Sequence, residues 1–480
     1  MWGAQTQRAV ENFPVSGLRA HPSLIRAYLL LKKSAAVANH VAGSLDRRRA
    51  RAIADSCDEI LDTPKGTGFS TLVRQCKDKD PIRPVVEDLR LRHAKKWISD
   101  EWADQFVVDV FQAGAGTSFH MNCNEVIANL ANRRLGGTVG TYDPIHPNDH
   151  VNMSQSTNDT FPTAMRIAVL LMLRDLLPAL DEFAGALREK GSAFRDVFKS
   201  GRTHLQDAVP ITLGQEFDAW AGAIERSARS LGETAEHLRE LGIGGTAVGT
   251  GLNAPRGYAQ SVVDCMQRLT LLRLERAHDP RETMQSQQPV VMISGALKNL
   301  ALELTRIAND LRLLSSGPSA GIGEITVPEV QPGSSIMPGK VNPSILECLN
   351  MVCFHVVGAD TAVSMAAQAG QLELNVMMPL MAYEILFAIE ILGNYLPIVV
   401  EKCINGIEAD RERCEWYLGQ SPAIATALNP LIGYERAAEI VKESIRSGQT
   451  IRAILLEKKI LGDAEIDRIF SPRFMTESDG

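Results

Sequence analysis

The chain has 480 residues, 45% of them hydrophobic and 22% charged, the balance of a folded globular protein, which excludes wholesale disorder. Fifty basic against 57 acidic residues leave a net charge of −7, and such a surface mildly repels phosphate backbones, so no nucleic-acid partner is expected. Only 5% of the residues are aromatic while Leu, Ala, Ile and Glu abound, which favours helices over a β-sandwich.

In chain order, residues 1–155 read as an N-terminal domain of short helices and loops. Pro22-Ser23-Leu24 opens a helix carrying Leu29, Leu30, Leu31 and Val37. Residues 63–98 differ: they begin Thr63-Pro-Lys-Gly-Thr-Gly-Phe69 and continue into a charge-dense run from Arg74 to Lys96. That stretch reads as a solvated insertion, partly helical from Val85 to Trp97.

Residues 156–411 read as a bundle of long helices. Met165, Val169, Met172 and Leu176 start one, which Pro178 is expected to kink. Phe217, Trp220, Ile224, Leu231 and Leu238 mark another. Ile293, Leu297, Leu300, Leu304, Ile307, Leu311 and Leu314 follow an alternating spacing of four and three, the seam of a coiled-coil-like helix. Ile385, Ile389, Leu392, Leu396 and Val399 repeat it. Several such seams imply long helices packed at shallow angles, with wide apolar faces left for burial between subunits. Residues 412–480 read as a small C-terminal helical domain with a loose tail from Phe474.

The eight cysteines (Cys57, Cys76, Cys123, Cys265, Cys348, Cys353, Cys403 and Cys414) form no C-x-x-C pair. Neither a disulfide framework nor a structural zinc site is expected, and reduced cysteines fit a cytoplasmic or organellar-matrix protein. No unbroken apolar run reaches the ~18 residues of a membrane span, so no membrane partner is expected. The best candidate, 167–180, is interrupted by Arg174, Asp175 and Pro178. The first residues show neither a signal-peptide nor a transit-peptide pattern.

Chemistry concentrates in loops between the helical stretches. Gly333-Ser-Ser-Ile-Met-Pro-Gly-Lys-Val-Asn-Pro343 gathers glycines, hydroxyls, an ammonium and an amide, a composition suited to an anion. It is not a P-loop, because five residues separate its glycines and Val341 follows Lys340. It is not a nucleophile elbow either. Asn152-Met-Ser-Gln-Ser-Thr-Asn-Asp159 places Ser156, Thr157 and Asn158 at a helix start, where free N–H groups favour a carboxylate. Gly114-Ala-Gly-Thr-Ser118 precedes Met121-Asn-Cys-Asn-Glu125. Gly201-Arg-Thr-His-Leu-Gln-Asp207 puts Thr203 and His204 in another polar loop before a helix. Gly244-Gly-Thr-Ala-Val-Gly-Thr-Gly-Leu-Asn253 follows a helix rather than a strand, so it reads as a tight turn lining a cleft, not a dinucleotide loop. No H-E-x-x-H or aspartate metal cluster occurs.

With these blocks the sequence resembles the aspartase/fumarase superfamily, in its class II fumarase and aspartate ammonia-lyase branch. Gly333 to Pro343 matches the signature loop; Gly114–Glu125, His146–Pro162 and Arg202–Gln215 match neighbouring blocks. Additional residues usual before the Trp2 block are missing, and 63–98 is not typical of the family. The resemblance implies a mainly α-helical, three-domain subunit whose long helices join those of three others in a twenty-helix core. Each active site of this homotetramer is then shared between subunits. It further implies a small dicarboxylate substrate, no cofactor and no resident metal, with divalent-cation activation left open.

In the implied roles Ser334 is the base on a mobile loop. Thr117, Ser156, Thr157 and Ser335 bind the carboxylate that gains charge. Lys340, Asn342 and Thr203 hold the other carboxylate. Asn158 and His204 face the leaving group, with Glu347 orienting His204. Ala369-Gly-Gln-Leu-Glu-Leu-Asn-Val-Met377, Leu313-Leu-Ser-Ser-Gly-Pro318, Cys403-Ile-Asn-Gly406 and Asn12-Phe-Pro-Val-Ser-Gly17 resemble aspartases. Trp2-Gly-Ala-Gln-Thr-Gln7 and Gly244-Gly-Thr-Ala-Val-Gly249 resemble fumarases. The balance favours deamination of L-aspartate to fumarate and ammonia, with hydration chemistry on L-malate as the alternative. A catalytically inert lyase-fold scaffold is the third reading, opposed by the presence of Ser334, Lys340 and Asn342.

Overall fold

The computed structural model describes residues 1–61, 68–77, 98 and 100–476. The chain is mainly α-helical, as its composition predicts. In order come α1 (Ala4–Asn12), α2 (Pro22–Val41), α3 (Arg47–Leu61), α4 (Phe69–Lys77), α5 (Asp100–Ala103), α6 (Thr117–Arg134) and α7 (Thr157–Ala193). A hairpin of β1 (Phe198–Thr203) and β2 (Gln206–Thr212) follows. Then come α8 (Leu213–Ala235), α9 (Tyr258–Thr270), α10 (Pro280–Gln285), α11 (Gln288–Leu314), α12 (Ser344–Gln368) and α13 (Met378–Lys402). Short helices from Arg411 to Thr476 close the chain.

The described chain forms two compact units. One comprises Met1–Pro178, Arg229–Ala301 and Phe354–Gly393; the other comprises Ala179–Ala228, Leu302–Cys353 and Asn394–Gly480. These units interleave along the sequence.

The seams read from the sequence are buried. All seven seam positions from Ile293 to Leu314 are buried in α11, and the five seam positions from Ile385 to Val399 are buried in α13. Burying a leucine or isoleucine side chain contributes roughly 1.5–3 kcal/mol, so these two rows are a large share of the folding drive. Phe217, Trp220, Ile224 and Leu231 line α8, while Leu238 sits beyond its end in a 3₁₀ turn. Helix α2 starts as its sequence dictates: Pro22 occupies the first turn and the His21 ring accepts the Ser23 N–H. Helix α7 continues through both Pro162 and Pro178 to Ala193, so Pro178 does not end it.

Part of the expected insertion is packed rather than solvated. Helix α4 lies within it, and its Phe69 and Leu72 are buried, with the Phe69 ring 5.5 Å from that of His40. An apolar pair one turn apart is enough to anchor a short helix, and the surrounding charges hide it. On the same helix Cys76 Sγ lies 3.0 Å from Cys265 Sγ of α9. The helix expected over 85–97 lies outside the described residues.

By length and composition α12 and the segment Met378–Gly406 are apolar enough to cross a membrane, with mean hydropathies of 1.3 and 1.5. The search for unbroken apolar runs passes over them because polar residues punctuate both. Two of the acidic ones are paired: in α12, Asp360 accepts from Ser294 Oγ at 2.8 Å and meets Lys298 at 2.5 Å. In α13, Glu390 lies 3.4 Å from His21. Such pairing within the fold suits core helices. Even so, α12 leaves Met351, Phe354 and Met365 at least 60% exposed.

The C-terminal helices have their own small core of Leu428, Ile440, Ile454, Leu455, Ile466 and Ile469. Thr450 starts one of them by accepting the Ala453 N–H.

Candidate active site

In the first unit, the N-termini of α6 and α7 stand side by side. The turn before α6 is left-handed at Ala115 (φ 60°) and Gly116 (φ 85°), and the Ala115 N–H donates to the Val376 carbonyl at 2.7 Å. A Cβ on Gly116 would come within 2.2 Å of the Phe161 ring, so packing as well as φ demands glycine. Thr117 then begins α6 with its side chain exposed and its hydroxyl donating to the Gly114 carbonyl.

Ser156 caps α7. Its hydroxyl accepts the Asn158 N–H at 3.2 Å, and its own N–H donates to Asp159 Oδ1 at 2.9 Å, a reciprocal cap. The other oxygen of Asp159 accepts the N–H groups of Gly244 and Thr246, each at 3.0 Å. Burial pushes the Asp159 carboxyl up to about 7, against the pull of these three backbone donors. Asn158 adds a bond from Nδ2 to the Ala247 carbonyl at 2.8 Å. The glycine-rich stretch 244–253 is thus the turn expected, and Asp159 fastens it to the helix start. The remaining first-turn N–H groups and the helix dipole favour an anion there.

Thr157 has an interior partner. Its hydroxyl lies 2.6 Å from His120 Nδ1, and His120 Nε2 lies 2.7 Å from Nζ of the fully buried Lys32. Lys32 also donates to Asn152 Oδ1 at 3.2 Å. Burial pushes the Lys32 amine down to about 7. Burial, reinforced by the Lys32 charge, holds the His120 ring well below its ordinary range.

In the second unit, Thr203 and His204 sit on a hairpin rather than in the loop expected from the sequence. Thr203 pairs with Gln206, leaving His204 (φ 56°) and Leu205 (φ 58°) as the two turn residues. Two consecutive left-handed residues make a type I′ turn, which matches strand twist. The register shifts between Ser200 and Arg202, where a Cβ on Gly201 would meet the Val209 carbonyl at 2.6 Å. Below the tip, Arg202 grips the fully buried Glu324 with two bonds of 3.0 and 2.8 Å. Lys199 joins Glu324 at 2.9 Å and Glu216 at 2.8 Å. This charge-balanced cluster anchors the hairpin and leaves His204 exposed at its end.

The Ser334 loop folds on itself. The Ser334 hydroxyl accepts the N–H groups of Ile336 (3.2 Å) and Met337 (3.0 Å). The Gly333 N–H donates to the Lys340 carbonyl at 3.0 Å, and Asn342 Nδ2 donates to the Gly333 carbonyl at 2.7 Å. Ser335 and Lys340 are exposed. Glu347, in the first turn of α12, faces Arg312 at 3.9 Å and makes no hydrogen bond to His204 within the described residues.

Gly333 is the loop's sterically strictest position, because a Cβ there would lie 2.1 Å from the Lys340 carbonyl oxygen. Gly333→Ala is therefore expected to open the loop and lower kcat at least tenfold while leaving the unfolding midpoint within ~1 kcal/mol of the parent, since exposed loops contribute little to stability. Steady-state kinetics beside urea unfolding checks it.

Thr117, Ser156, Thr157 and Asn158 thus belong to one unit, and Thr203, His204, Ser334, Ser335, Lys340, Asn342 and Glu347 to the other. Sequence reasoning missed Lys32, His120, Asp159, Arg202 and Glu324. The one available signal for Lys32 was a Lys32-Lys33 pair directly after the apolar run Tyr28–Leu31 of α2.

The sequence pattern of the lyase family matches residues 84–358, and that of the fumarase C C-terminus matches residues 424–477. The chain is 41% identical to an aspartate ammonia-lyase of Bacillus subtilis over 476 residues, covering 99% of this chain and 92% of that one. It is 42% identical to a class II fumarate hydratase of Thermosynechococcus vestitus over 468 residues, covering 97% and 92%. Its fold overlays a cobalt-bound fumarate lyase:delta crystallin from Brucella melitensis with a TM-score of 0.87 at 43% identity, covering 99% and 96%. The chain belongs to the aspartase/fumarase superfamily of lyases, in the branch that holds aspartate ammonia-lyases and class II fumarases.

Proposed function

We propose that this lyase deaminates L-aspartate to fumarate and ammonia. The observation that carries the reading is the pair of backbone N–H groups, from Ile336 and Met337, directed at the Ser334 hydroxyl. A serine is a poor base until its alkoxide is stabilised, and hydrogen bonds to the charged form do that. The Lys340 ammonium on the same loop adds positive charge. In the proposed step the Ser334 alkoxide takes the C3 proton. The released electron pair delocalises into the adjacent carboxylate as an aci-carboxylate, then forms the double bond as the C2–N bond breaks and its electrons leave with ammonia.

The helix starts at Thr117 and at Ser156–Thr157, with Ser335, would stabilise the charge that grows on that carboxylate. Lys340, Asn342 and Thr203 would hold the other carboxylate, and Asn158 and His204 would face the leaving amine. The exposure of the His204 tip supports assembly of each site from several subunits of a homotetramer. The exposed Met351, Phe354 and Met365 of α12 supply apolar surface for that association. Glu347, occupied by Arg312 within one chain, would then reach His204 only across a subunit boundary.

Support for aspartate over malate comes from the segment 369–377, whose Val376 carbonyl takes the N–H of Ala115 two residues before Thr117. The residues that resemble aspartases therefore abut the carboxylate-binding helix start. Malate remains the second reading, because a class II fumarate hydratase is as similar as the ammonia-lyases are. The test is the ultraviolet absorbance of fumarate with L-aspartate and, separately, L-malate. A rise with aspartate together with released ammonia is expected; a rise with malate alone overturns the substrate assignment. Silence with both from a tetrameric sample would favour another dicarboxylate or an inert scaffold.

A further inference from the structure

The contacts behind Thr157 have no part in the reaction as written, yet their polarity decides what Thr157 can offer a ligand. Lys32 is fully buried, where a cation is costly unless acceptors meet its protons. Two do: Asn152 Oδ1 at 3.2 Å and His120 Nε2 at 2.7 Å. An ammonium has no lone pair, so Nε2 must accept and carry no proton. The neutral ring then keeps its proton on Nδ1 and donates it to Thr157 Oγ1, 2.6 Å away. With its oxygen engaged as an acceptor, the Thr157 hydroxyl directs its own proton outward at the N-terminus of α7.

The reverse polarity fails. A neutral amine accepting from Nε2–H would leave Nδ1 to draw the hydroxyl proton inward. Only oxygen lone pairs would then face an incoming carboxylate.

We propose that Lys32 and His120 are positioning residues that hold the Thr157 hydroxyl as a hydrogen-bond donor to the substrate carboxylate. The inference rests on reading the α7 start as a carboxylate site. It adds to that site two buried residues from α2 and α6 and gives each a stated polarity.

The environment of Lys32 makes the polarity pH-sensitive. His120 and Cys123 face it from α6, Cys57 from α3, Asp159 from α7 and the Tyr28 ring, 5.7 Å away, from its own helix. Burial lowers the amine to about 7, with Cys123, Asp159 and Cys57 opposing that shift. Only the ammonium, which lacks a lone pair, enforces this polarity, and it is lost as pH rises through its pKa. KM is therefore expected to rise with pH above about 7, and bound carboxylate should move the same limb of kcat to higher pH.

The competing view is that the trio merely fills a polar gap in the core, and double mutants separate the two. Lys32→Met and His120→Leu should each raise KM about tenfold or more, the worth of one hydrogen bond to a charged partner. The effect on kcat should be smaller. His120→Asn puts an amide N–H where Nδ1 was and should recover most of the affinity. In a Thr157→Val background, His120→Leu should add almost nothing, because the hydroxyl it orients is gone. Lys32→Met should also flatten the rise of KM with pH. Additive effects of Thr157→Val and His120→Leu would overturn the proposal while leaving the carboxylate site standing. An unchanged KM in Thr157→Val alone would overturn the site reading and the proposal with it. If His120→Leu does not fold as a tetramer, the unmutated protein decides: a KM that stays flat from about pH 6 to about pH 9 sinks the relay.

Discussion

Ser334→Ala is expected to lower kcat by about 10²–10⁴, the span a positioned general base supplies. Oligomeric mass and unfolding midpoint should stay where they are. Ser334 lies on a loop whose closing bonds run through Gly333, Lys340 and Asn342, so the loop persists without the hydroxyl. What vanishes is the acceptor of the Ile336 and Met337 N–H groups, which then find water. The size of the loss reports how much of the barrier the positioned serine lowers as the base. Stopped-flow fumarate formation beside light scattering separates chemistry from assembly; undiminished turnover would remove Ser334 from the mechanism.

Glu324→Leu should produce the largest stability loss, about 3–5 kcal/mol, because it strands cations in the fold. Arg202 loses a two-bonded partner and Lys199 loses one of its two ion-paired carboxylates, keeping Glu216. Glu324→Gln, which preserves an acceptor, should cost less in stability yet still impair catalysis. The hairpin carrying Thr203 and His204 is held at its base by this cluster, so kcat/KM should fall in both variants. Urea unfolding beside steady-state kinetics checks the pair. If Glu324→Gln leaves kcat/KM intact, the cluster supports the fold and not the tip.

The helical architecture was legible because seams survive context: every seam position read between Ile293 and Leu314 and between Ile385 and Val399 is buried. Helix starts were legible for the same local reason, as Pro22 and Ser156 act within one turn. The hairpin at 198–212 was not, because its turn is His204-Leu205 rather than Asn-Gly, and the usual signal for a two-residue turn is absent. Helix α4 was hidden by the charges around it. The loop chemistry of Ser334 was legible as composition, but the two N–H donors belong to backbone geometry, which composition does not encode. The Lys32–His120–Thr157 chain joins residues separated by 88 and 37 positions, so no local pattern announces it. Sequence also left the substrate open, since markers of both branches occur in one chain and neither kind is a side chain with an evident preference for amine over hydroxyl.

The turn at His204-Leu205 bears on how this chain has been selected. A left-handed conformation costs a residue with a Cβ roughly 1–2 kcal/mol, and Asn-Gly would fill both places with less strain. A protein shaped for stability alone would carry that pair. This one keeps an imidazole and an isobutyl group at an exposed tip where neither helps the hairpin form. On the proposed mechanism the imidazole faces the leaving amine, so a substitution that relaxes the turn would also empty that place. If that mechanism holds, stabilising the scaffold and preserving turnover are opposed at His204, and a consensus-based effort to harden this enzyme would do well to leave it alone.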